Sequence, residues 1–302
     1  MKLRGTIFAI ASLALYAAGT TFAGPEIMST GKESKAVQME QAPACDPRWY
    51  FSLGGGADFD IGNSGFSHAF ESSVPGFNLT FGPFLARQSS PKVQWDDAFD
   101  TTWHAGGEFG YALTDHLEVF VSGAYSHADS AGSVDWGAIK IFTFGPTFTL
   151  PLRAQWDDYD AFGGELGFRF HFLSRQARFR PYLALSGGAM HVDDIGFSFN
   201  ADASSVGGPS DFRVFRGNFF DSSWVGTGAA VVGVEANLTC HWTLGVNGGV
   251  RYQTRLEGND GDLVGRDFIG LVPVPLNKIR PANNDAGDRW TVPVSGYVKF
   301  RF

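Results

Sequence analysis

The sequence predicts an all-β fold, a transmembrane up-and-down β-barrel of eight antiparallel strands. Three observations favour this fold class. Apolar and polar residues alternate with a period of two through segments of about ten residues, the pattern of a strand with one apolar and one polar face. No apolar run approaches the roughly 20 residues that a membrane-spanning helix needs. The connections between the alternating segments are short and long in turn, as in a membrane barrel.

The first residues have the organisation of a secretory signal peptide. Lys2 and Arg4 give a positive start, and residues 7–18 form an apolar run that is too short to span a membrane. We therefore expect residues 1–23 to be removed on export. Residues 24–48 are rich in polar residues and proline, and we expect them to form a flexible periplasmic segment.

The barrel is predicted over residues 49–302. Its eight strands cover approximately residues 49–59, 103–113, 117–126, 162–172, 180–193, 224–238, 242–253 and 290–302. In the first three strands the outward residues include Phe51, Phe109 and Val121, and the inward residues include Ser52, Glu108 and Glu118. A polar turn at residues 114–116 joins the second strand to the third.

The fourth to seventh strands continue the alternation. Their outward residues include Phe168, Val234 and Val246, and their inward residues include Arg169, Glu235 and Asn247. The turns at residues 174–176 and 239–241 are short. The fifth strand has the least regular alternation, so its facing is left open.

The eighth strand alternates from Trp290 to Phe302, with apolar residues or glycine at every even position. It resembles the closing strand of bacterial outer-membrane barrels, whose last residues are read by the barrel assembly machinery. The residues that match this assembly signal are Gly296, Val298, Phe300 and Phe302. Gly296 lies one position early for the strict form of the motif.

Composition agrees with a barrel and excludes some functions. The chain is 44% hydrophobic with a mean hydropathy of -0.07, which suits a barrel because only alternate residues face lipid. Removal of Lys2 and Arg4 leaves 21 of the 23 basic residues against 31 acidic ones, a net charge of -10. Such a chain is a poor candidate for binding nucleic acid.

Loop lengths and aromatic residues orient the barrel. The connections after the first, third, fifth and seventh strands hold about 30 to 40 residues and are predicted to be four long external loops. Aromatic residues end the strands at both levels, as in the interfacial girdles of a membrane barrel. They are Trp49, Phe51, Tyr111, Phe172, Trp242 and Phe302 at the periplasmic level and Trp103, Tyr125, Phe162, Trp224, Tyr252 and Trp290 at the external level.

Two segments carry a family resemblance. The runs GGEFGYALTDHLEVFVSGAYSH at 106–127 and RPYLALSGGA at 180–189 resemble the outer-membrane barrel family of the opacity proteins and the membrane domain of outer membrane protein A. The resemblance implies a location in the bacterial outer membrane, surrounded by lipid and lipopolysaccharide. The loops of this chain are longer and more apolar than the family pattern requires.

The charged residues that point inward predict the state of the lumen. An eight-stranded barrel has an interior just wide enough for its own side chains, and a buried charge has to be paired. We therefore expect a plug of salt bridges, with a gate that opens by exchange of pairs as the alternative. The predicted network comprises Glu108, Glu118, Glu165, Arg169, Glu235, Arg251, Lys299 and Arg301.

The two cysteines, Cys45 and Cys240, both fall at the predicted periplasmic end. Disulfides form in that oxidising compartment, so we predict a possible disulfide between them, with two free thiols as the alternative. Strands one and six are not neighbours in an eight-stranded ring. The segment before Trp49 would therefore have to cross the barrel opening.

The predicted loops contain apolar pieces and acidic clusters. The apolar pieces cover residues 77–85, 139–152, 212–220 and 268–276. Three interpretations are open for these pieces. They form an interaction site for an external ligand, or they pack on one another above the membrane. In the third, they are strands that re-enter the membrane and raise the number of barrel strands to ten or more. The acidic clusters at residues 96–97, 157–158 and 259–262 lack the spacing of a calcium loop. We predict no metal site and no cofactor.

These observations favour a structural or surface-interaction protein. A channel for small or hydrophobic solutes is the first alternative. A lipid A-modifying enzyme is a remote one, because a serine, a histidine and a carboxylate must lie within hydrogen-bond reach. Ser126 and His127 are adjacent and therefore lie on opposite faces of one strand. The sequence predicts no enzyme.

Overall fold

The computed structural model describes residues 46–61, 65–78, 82–143, 145, 147–206, 208–256, 258 and 286–302. The predicted signal peptide, most of the segment 24–48, the apolar piece 268–276 and the acidic cluster 259–262 lie outside the described residues. The described residues contain sixteen strands, a one-turn helix α1 at Trp95–Ala98 and a 3-10 turn at Ser204–Val206. Within them, no helix is long and apolar enough to cross a membrane.

Eight of the strands close into an antiparallel barrel. They are β1 (Trp49–Asp60), β6 (Thr102–Ala112), β7 (Leu117–Ala128), β10 (Tyr159–His171), β11 (Phe179–Val192), β14 (Ser223–Asn237), β15 (Trp242–Gln253) and β16 (Arg289–Arg301). The ring runs β1-β16-β15-β14-β11-β10-β7-β6 and closes because β1 pairs with both β16 and β6. The eight-stranded barrel predicted from the sequence is confirmed.

The outer surface of the ring is apolar. Every strand exposes large hydrophobic side chains at alternate positions, and one example from each strand is Leu53, Phe109, Val121, Leu166, Leu185, Val232, Val246 and Val298. In water, so large an apolar surface would be an aggregation liability. In a membrane it contacts hydrocarbon, while the closed ring satisfies the backbone hydrogen bonds within itself.

Aromatic residues pair across neighbouring strands at both edges of this surface. Near the short turns, the rings of Trp49 and Tyr111 lie 4.7 Å apart. Near the long loops, Tyr252 and Trp290 lie 4.9 Å apart, and the edge of the Trp103 ring meets Tyr125. The two levels have the position of interfacial girdles.

Eight further strands belong to the long loops. They are β2 (Gly65–Ser67), β3 (Phe70–Asn78), β4 (Gly82–Ser90), β5 (Val93–Gln94), β8 (Val134–Phe142), β9 (Phe148–Trp156), β12 (Ile195–Ala201) and β13 (Phe212–Phe220). Six of them form a second sheet, here called the upper sheet, in the order β13-β12-β9-β8-β4-β3. None of the described loop strands enters the ring, so the alternative of ten or more barrel strands is not adopted.

The upper sheet continues the barrel wall above the membrane. Each strand of the upper sheet is next along the chain to one strand of the ring, and the two sets have the same order. The upper-sheet order β13-β12-β9-β8-β4-β3 matches the ring order β14-β11-β10-β7-β6-β1. Its inner face is a hydrophobic core rich in aromatic residues. The rings of Trp136 and Phe197 each lie within about 5.5 Å of Trp156, and Phe66 stacks on Phe219.

The same core covers the outer mouth of the barrel. It includes inward residues from the long-loop ends of the barrel strands, among them Ala128, Tyr159, Val192 and Val225. Trp95 of α1 contacts the Tyr159 ring edge to face at 5.6 Å. Burial of these large side chains therefore closes the mouth with packed apolar groups.

Candidate functional site

The lumen holds the charged residues expected from the sequence, at two levels. Five of them, together with Glu108, meet near the short turns: Glu118, Arg169, Glu235, Lys299 and Arg301. Glu165 and Arg251 lie nearer the long loops and 3.9 Å apart. We call the first group, together with His171 and Arg180, the inner charge cluster.

Salt bridges across the lumen hold the inner charge cluster together. The Lys299 ammonium donates to Glu118 at 3.0 Å and also to Glu235. Arg301 donates to Glu235 at 2.9 Å, and Arg169 donates to Glu108 at 3.0 Å and to Glu118 at 3.3 Å. The side chains of Glu118, Glu235 and Lys299 are at most 2% exposed. Each buried charge thus has several opposite partners, which offset its desolvation.

Two members of this cluster were missed in the sequence. Arg180 lies 3.4 Å from both Glu118 and Glu235, and the His171 ring lies 3.3 Å from Glu118. Arg180 begins the strand whose facing was least certain, and His171 ends its strand. The register of the two neighbouring strands would have predicted the position of Arg180, because Arg180 is the direct cross-strand partner of Glu235.

Aromatic side chains fill the space around the charges. The Arg169 guanidinium lies 4.8 Å from the centre of the Tyr182 ring, and the Lys299 ammonium lies 4.1 Å from the Tyr50 ring, within the range of cation–π contacts. The Tyr297 hydroxyl donates to Glu235 at 3.0 Å. The end of the lumen near the short turns is therefore packed with paired charges and rings.

The middle of the lumen is lined by small side chains. Gly54, Ala124 and Ser186 point inward there and are half-buried rather than sealed. Glu165 accepts hydrogen bonds from Ser186 at 2.7 Å and from Thr227 at 3.1 Å.

A second charged level lies just below the aromatic core. Arg251 donates to Asp58 at 2.9 Å, and Arg289 donates to Asp60 at 2.8 Å. The Arg289 guanidinium also lies 4.4 Å from the centre of the Trp95 ring. A cavity at this level offers only about 10 Å³ to the centre of a water molecule, which is about the space that one water needs.

Asp58, His104 and Ser295 form a chain of contacts that resembles a catalytic triad in composition. His104 Nε2 lies 2.8 Å from the Ser295 hydroxyl, and His104 Nδ1 lies 3.3 Å from Asp58. Sequence reasoning compared serine and histidine only within single strands and missed this pair on β6 and β16. Both residues flank Gly56 on β1 in direct register.

The surroundings of Ser295 do not provide an acyl-transfer site. Its strand pairs with both neighbours through Ser295. Ser295 therefore lies within a paired strand, whereas the nucleophile of an acyl-transfer site lies on a sharp turn beside free amide donors. The aromatic core above and the charge cluster below also separate Ser295 from the outside. Ser126 is buried in the lumen, and His127 lies on the outer face 2.8 Å from Asp160.

Two groups of side chains in the described chain bring potential metal-ligand atoms within 4.8 Å of one another. Glu118, His171 and Glu235 form one, and His127, Asp129 and Asp158 form the other. Four cationic side chains already surround the carboxylates of Glu118 and Glu235. Their positive charge disfavours binding of a metal cation. In the second group, Asp158 accepts from the backbone N–H of Ser130 at 2.9 Å, so it already has a local structural role.

The disulfide between Cys45 and Cys240 stays a prediction. Cys45 lies outside the described residues, and Cys240 lies in the short turn between β14 and β15. The described chain contains no free cysteine.

The proteins of known structure that are similar to this chain are outer-membrane barrels. Neisserial surface protein A is 12% identical with a TM-score of 0.34, over 84% of this chain and 96% of that one. Ail of Yersinia pestis is 11% identical with a TM-score of 0.31, over 85% and 99%. The protease OmpT of Escherichia coli is 9% identical with a TM-score of 0.30, over 84% and 97%. No family model and no curated protein matches the sequence.

The fold is established by the closed ring itself rather than by these distant similarities. An eight-stranded antiparallel ring with an apolar exterior and aromatic residues at both edges is the outer-membrane barrel architecture. The resemblance to the opacity-protein and outer-membrane-protein-A type is confirmed at the level of fold. A closed ring with this apolar exterior and these aromatic edges belongs in the bacterial outer membrane.

Proposed function

We propose that this chain is a non-enzymatic barrel with a structural or surface-interaction role. The observation that carries the proposal is closure of the barrel at both ends. The inner charge cluster fills the periplasmic end, and the aromatic core of the upper sheet covers the external mouth. A barrel closed in this way presents an ordered surface to the outside instead of a path through the membrane.

The expected partners follow from this role. Outer-membrane lipid and lipopolysaccharide surround the apolar belt, and the barrel assembly machinery acts on the closing strand with Gly296, Val298, Phe300 and Phe302. An external ligand would meet the upper sheet, because this sheet contains most of the described residues of the long loops.

A channel for small or hydrophobic solutes is the second candidate. The small side chains at mid-lumen favour it, because they fill less space than the charged and aromatic side chains at either end. Conduction would require the salt bridges of Lys299 to open and the core around Trp156 to separate. Modification of lipid A is a more remote alternative, since Ser295 is enclosed within the barrel.

The surface role is tested on cells that produce either the full chain or a chain whose upper sheet is trimmed. In the trimmed chain, residues 65–98, 129–157 and 194–221 are replaced by short turns. We expect the trimmed barrel to assemble but to lose autoaggregation and attachment to serum-coated plastic. Equal attachment by both strains, with both barrels assembled, would contradict the role. Mass spectrometry of lipid A from the same strains tests the enzymatic alternative.

A further inference from the structure

The outward face of the upper sheet points away from the barrel axis and lies above the surrounding lipids. On its inner face, Trp156 and Phe197 share one core with the inward residues of the barrel mouth. The opposite face therefore continues the lipid-facing exterior of the barrel above the membrane. On β9 this face exposes Arg153 and Gln155 while Ala154 and Trp156 are buried.

The cationic side chains on the described part of this face are all exposed. They are Arg87, Lys140, Arg153, Arg213 and Arg216. Register places them side by side, since Arg87 is the partner of Lys140, and Asn200 is the partner of both Arg153 and Arg213. With about 4.8 Å between strands, Arg153 and Arg213 stand about 10 Å apart.

The acidic residues on these strands only partly balance the cations. Glu71 pairs with Arg87 at 2.6 Å, and Asp135 is the cross-strand partner of Arg153. Arg213 and Arg216 have Asn200 and Ser198 as their neighbours on β12. The described strands of this face thus carry five cations and two carboxylates, and Asp202 and Asp211 lie just beyond the ends of β12 and β13. The excess of cations on the strands contrasts with the net charge of -8 on the whole chain.

The face also has a defined height. Arg153 precedes the girdle residue Phe162 by nine residues. A rise of about 3.3 Å per residue and a tilt of about 40° place it about 20 Å above the girdle. The exposed carboxylates of Asp157 and Asp158 lie between the two levels. The positive charge therefore stands beside the sugars of the surrounding glycolipid, above the region nearest its acyl chains.

We propose that the outward face of the upper sheet binds the phosphorylated saccharide of the surrounding outer-leaflet glycolipid. Arginine suits this ligand because its planar guanidinium forms two parallel hydrogen bonds with a phosphate. Glycolipids anchored beside the barrel are held at high local concentration, so modest contacts suffice for occupancy. This binding would order the lipid around the barrel, and it goes beyond the proposed surface role.

The test uses the purified full chain in detergent and core oligosaccharide freed from its acyl chains, which removes contacts with the apolar belt. One variant carries Arg153→Gln, Arg213→Gln and Arg216→Gln. Its matched control carries Arg48→Gln, Arg178→Gln and Arg255→Gln, which remove the same charge from exposed arginines elsewhere. Heat-dependent electrophoretic mobility verifies that both variants are folded.

We expect the face variant to bind phosphorylated oligosaccharide at least about tenfold more weakly than the unmodified chain, and the control to stay within about twofold. Added salt should weaken the binding, because exposed charges are screened. Equal binding by the face variant, or equal binding of phosphatase-treated oligosaccharide, would overturn the proposal. Stronger binding of a soluble polyuronate would overturn the assignment to glycolipid. The attachment assay for the surface role does not depend on any of these results.

Discussion

Lys299 on β16 donates to the Glu118 carboxylate on β7 at 3.0 Å, across the lumen and past two intervening strands of the ring. The same ammonium contacts Glu235 on β14. One cation therefore links two carboxylates from different parts of the wall. This arrangement replaces the hydrophobic core that the interior of a soluble domain would have.

Loss of the Glu235 charge should destabilise the barrel strongly. This carboxylate contacts four cationic side chains, so Glu235→Gln leaves buried positive charge without its partner. We expect a loss of about 3–5 kcal/mol in the free energy of unfolding, measured by urea unfolding in lipid vesicles. The isosteric control Glu71→Gln breaks an exposed pair with Arg87 and should cost about 0–1 kcal/mol. Similar losses for the two variants would refute a structural role for the inner charge cluster.

Closure of β1 onto β16 depends on the absence of a side chain at Gly56. A Cβ there would lie 2.0 Å from the Val294 carbonyl oxygen and 2.9 Å from the Ser295 hydroxyl. Gly56→Ala should therefore lower the yield of folded barrel, which heat-dependent electrophoretic mobility reports. The matched control Gly123→Ala meets its nearest atom at 3.8 Å and should fold normally. A fully folded Gly56→Ala variant would show that this pairing is looser than described.

The upper sheet should open independently of the barrel when its core is weakened. Trp156 is 1% exposed, and removal of so large a side chain costs about 3–5 kcal/mol. We expect Trp156→Ala to accelerate tryptic cleavage after Arg153 and Arg213, while the ring stays protected. The control Phe142→Ala truncates a side chain that is 39% exposed and should leave cleavage unchanged. Equal cleavage rates would mean that the aromatic core does not hold the upper sheet.

Ser295 should be chemically inert despite its contact with His104. It lies within a strand that is paired on both sides, between the aromatic core and the inner charge cluster. We expect no labelling of the folded protein by a fluorophosphonate, and identical lipid A from cells that produce the unmodified chain or Ser295→Ala. Labelling that disappears in Ser295→Ala would revive the enzymatic alternative.

Local alternation was sufficient to predict the ring. The side chains of Leu53, Leu166 and Val298 report their facing through a period of two alone, and the short turns pair neighbouring strands. The facing of the inner charges followed from the same parity. The facing of the fifth strand was left open in the sequence, and the structure settles it by exposing Leu183 and Leu185.

The upper sheet was harder to predict because its pairing is not local. Residues 139–152 were recognised as apolar, but they include the end of β8, the turn and the start of β9. The alternation of apolar and polar residues is therefore interrupted at the turn. An irregularity between Asp135 and Gly137 shifts the register further, and Gly137 has a φ of 88°. The alternation in Ile195–Ala201 was the signal that was overlooked.

The contact between His104 and Ser295 depends on closure of the ring. The two residues are 191 positions apart and meet only because β1 lies between β6 and β16. Arg180 depends in the same way on the register of β11 against β14. Parity within a strand gives the face of a residue but not its partners across the lumen.

The most direct test of the account is the conductance of the purified, unmodified protein in a planar bilayer. Because paired charges fill one end of the lumen and aromatic side chains cover the other, we expect insertion without steady unitary currents. Reproducible unitary currents of constant size, from protein shown to be folded and free of other porins, would contradict the closed barrel and favour the channel.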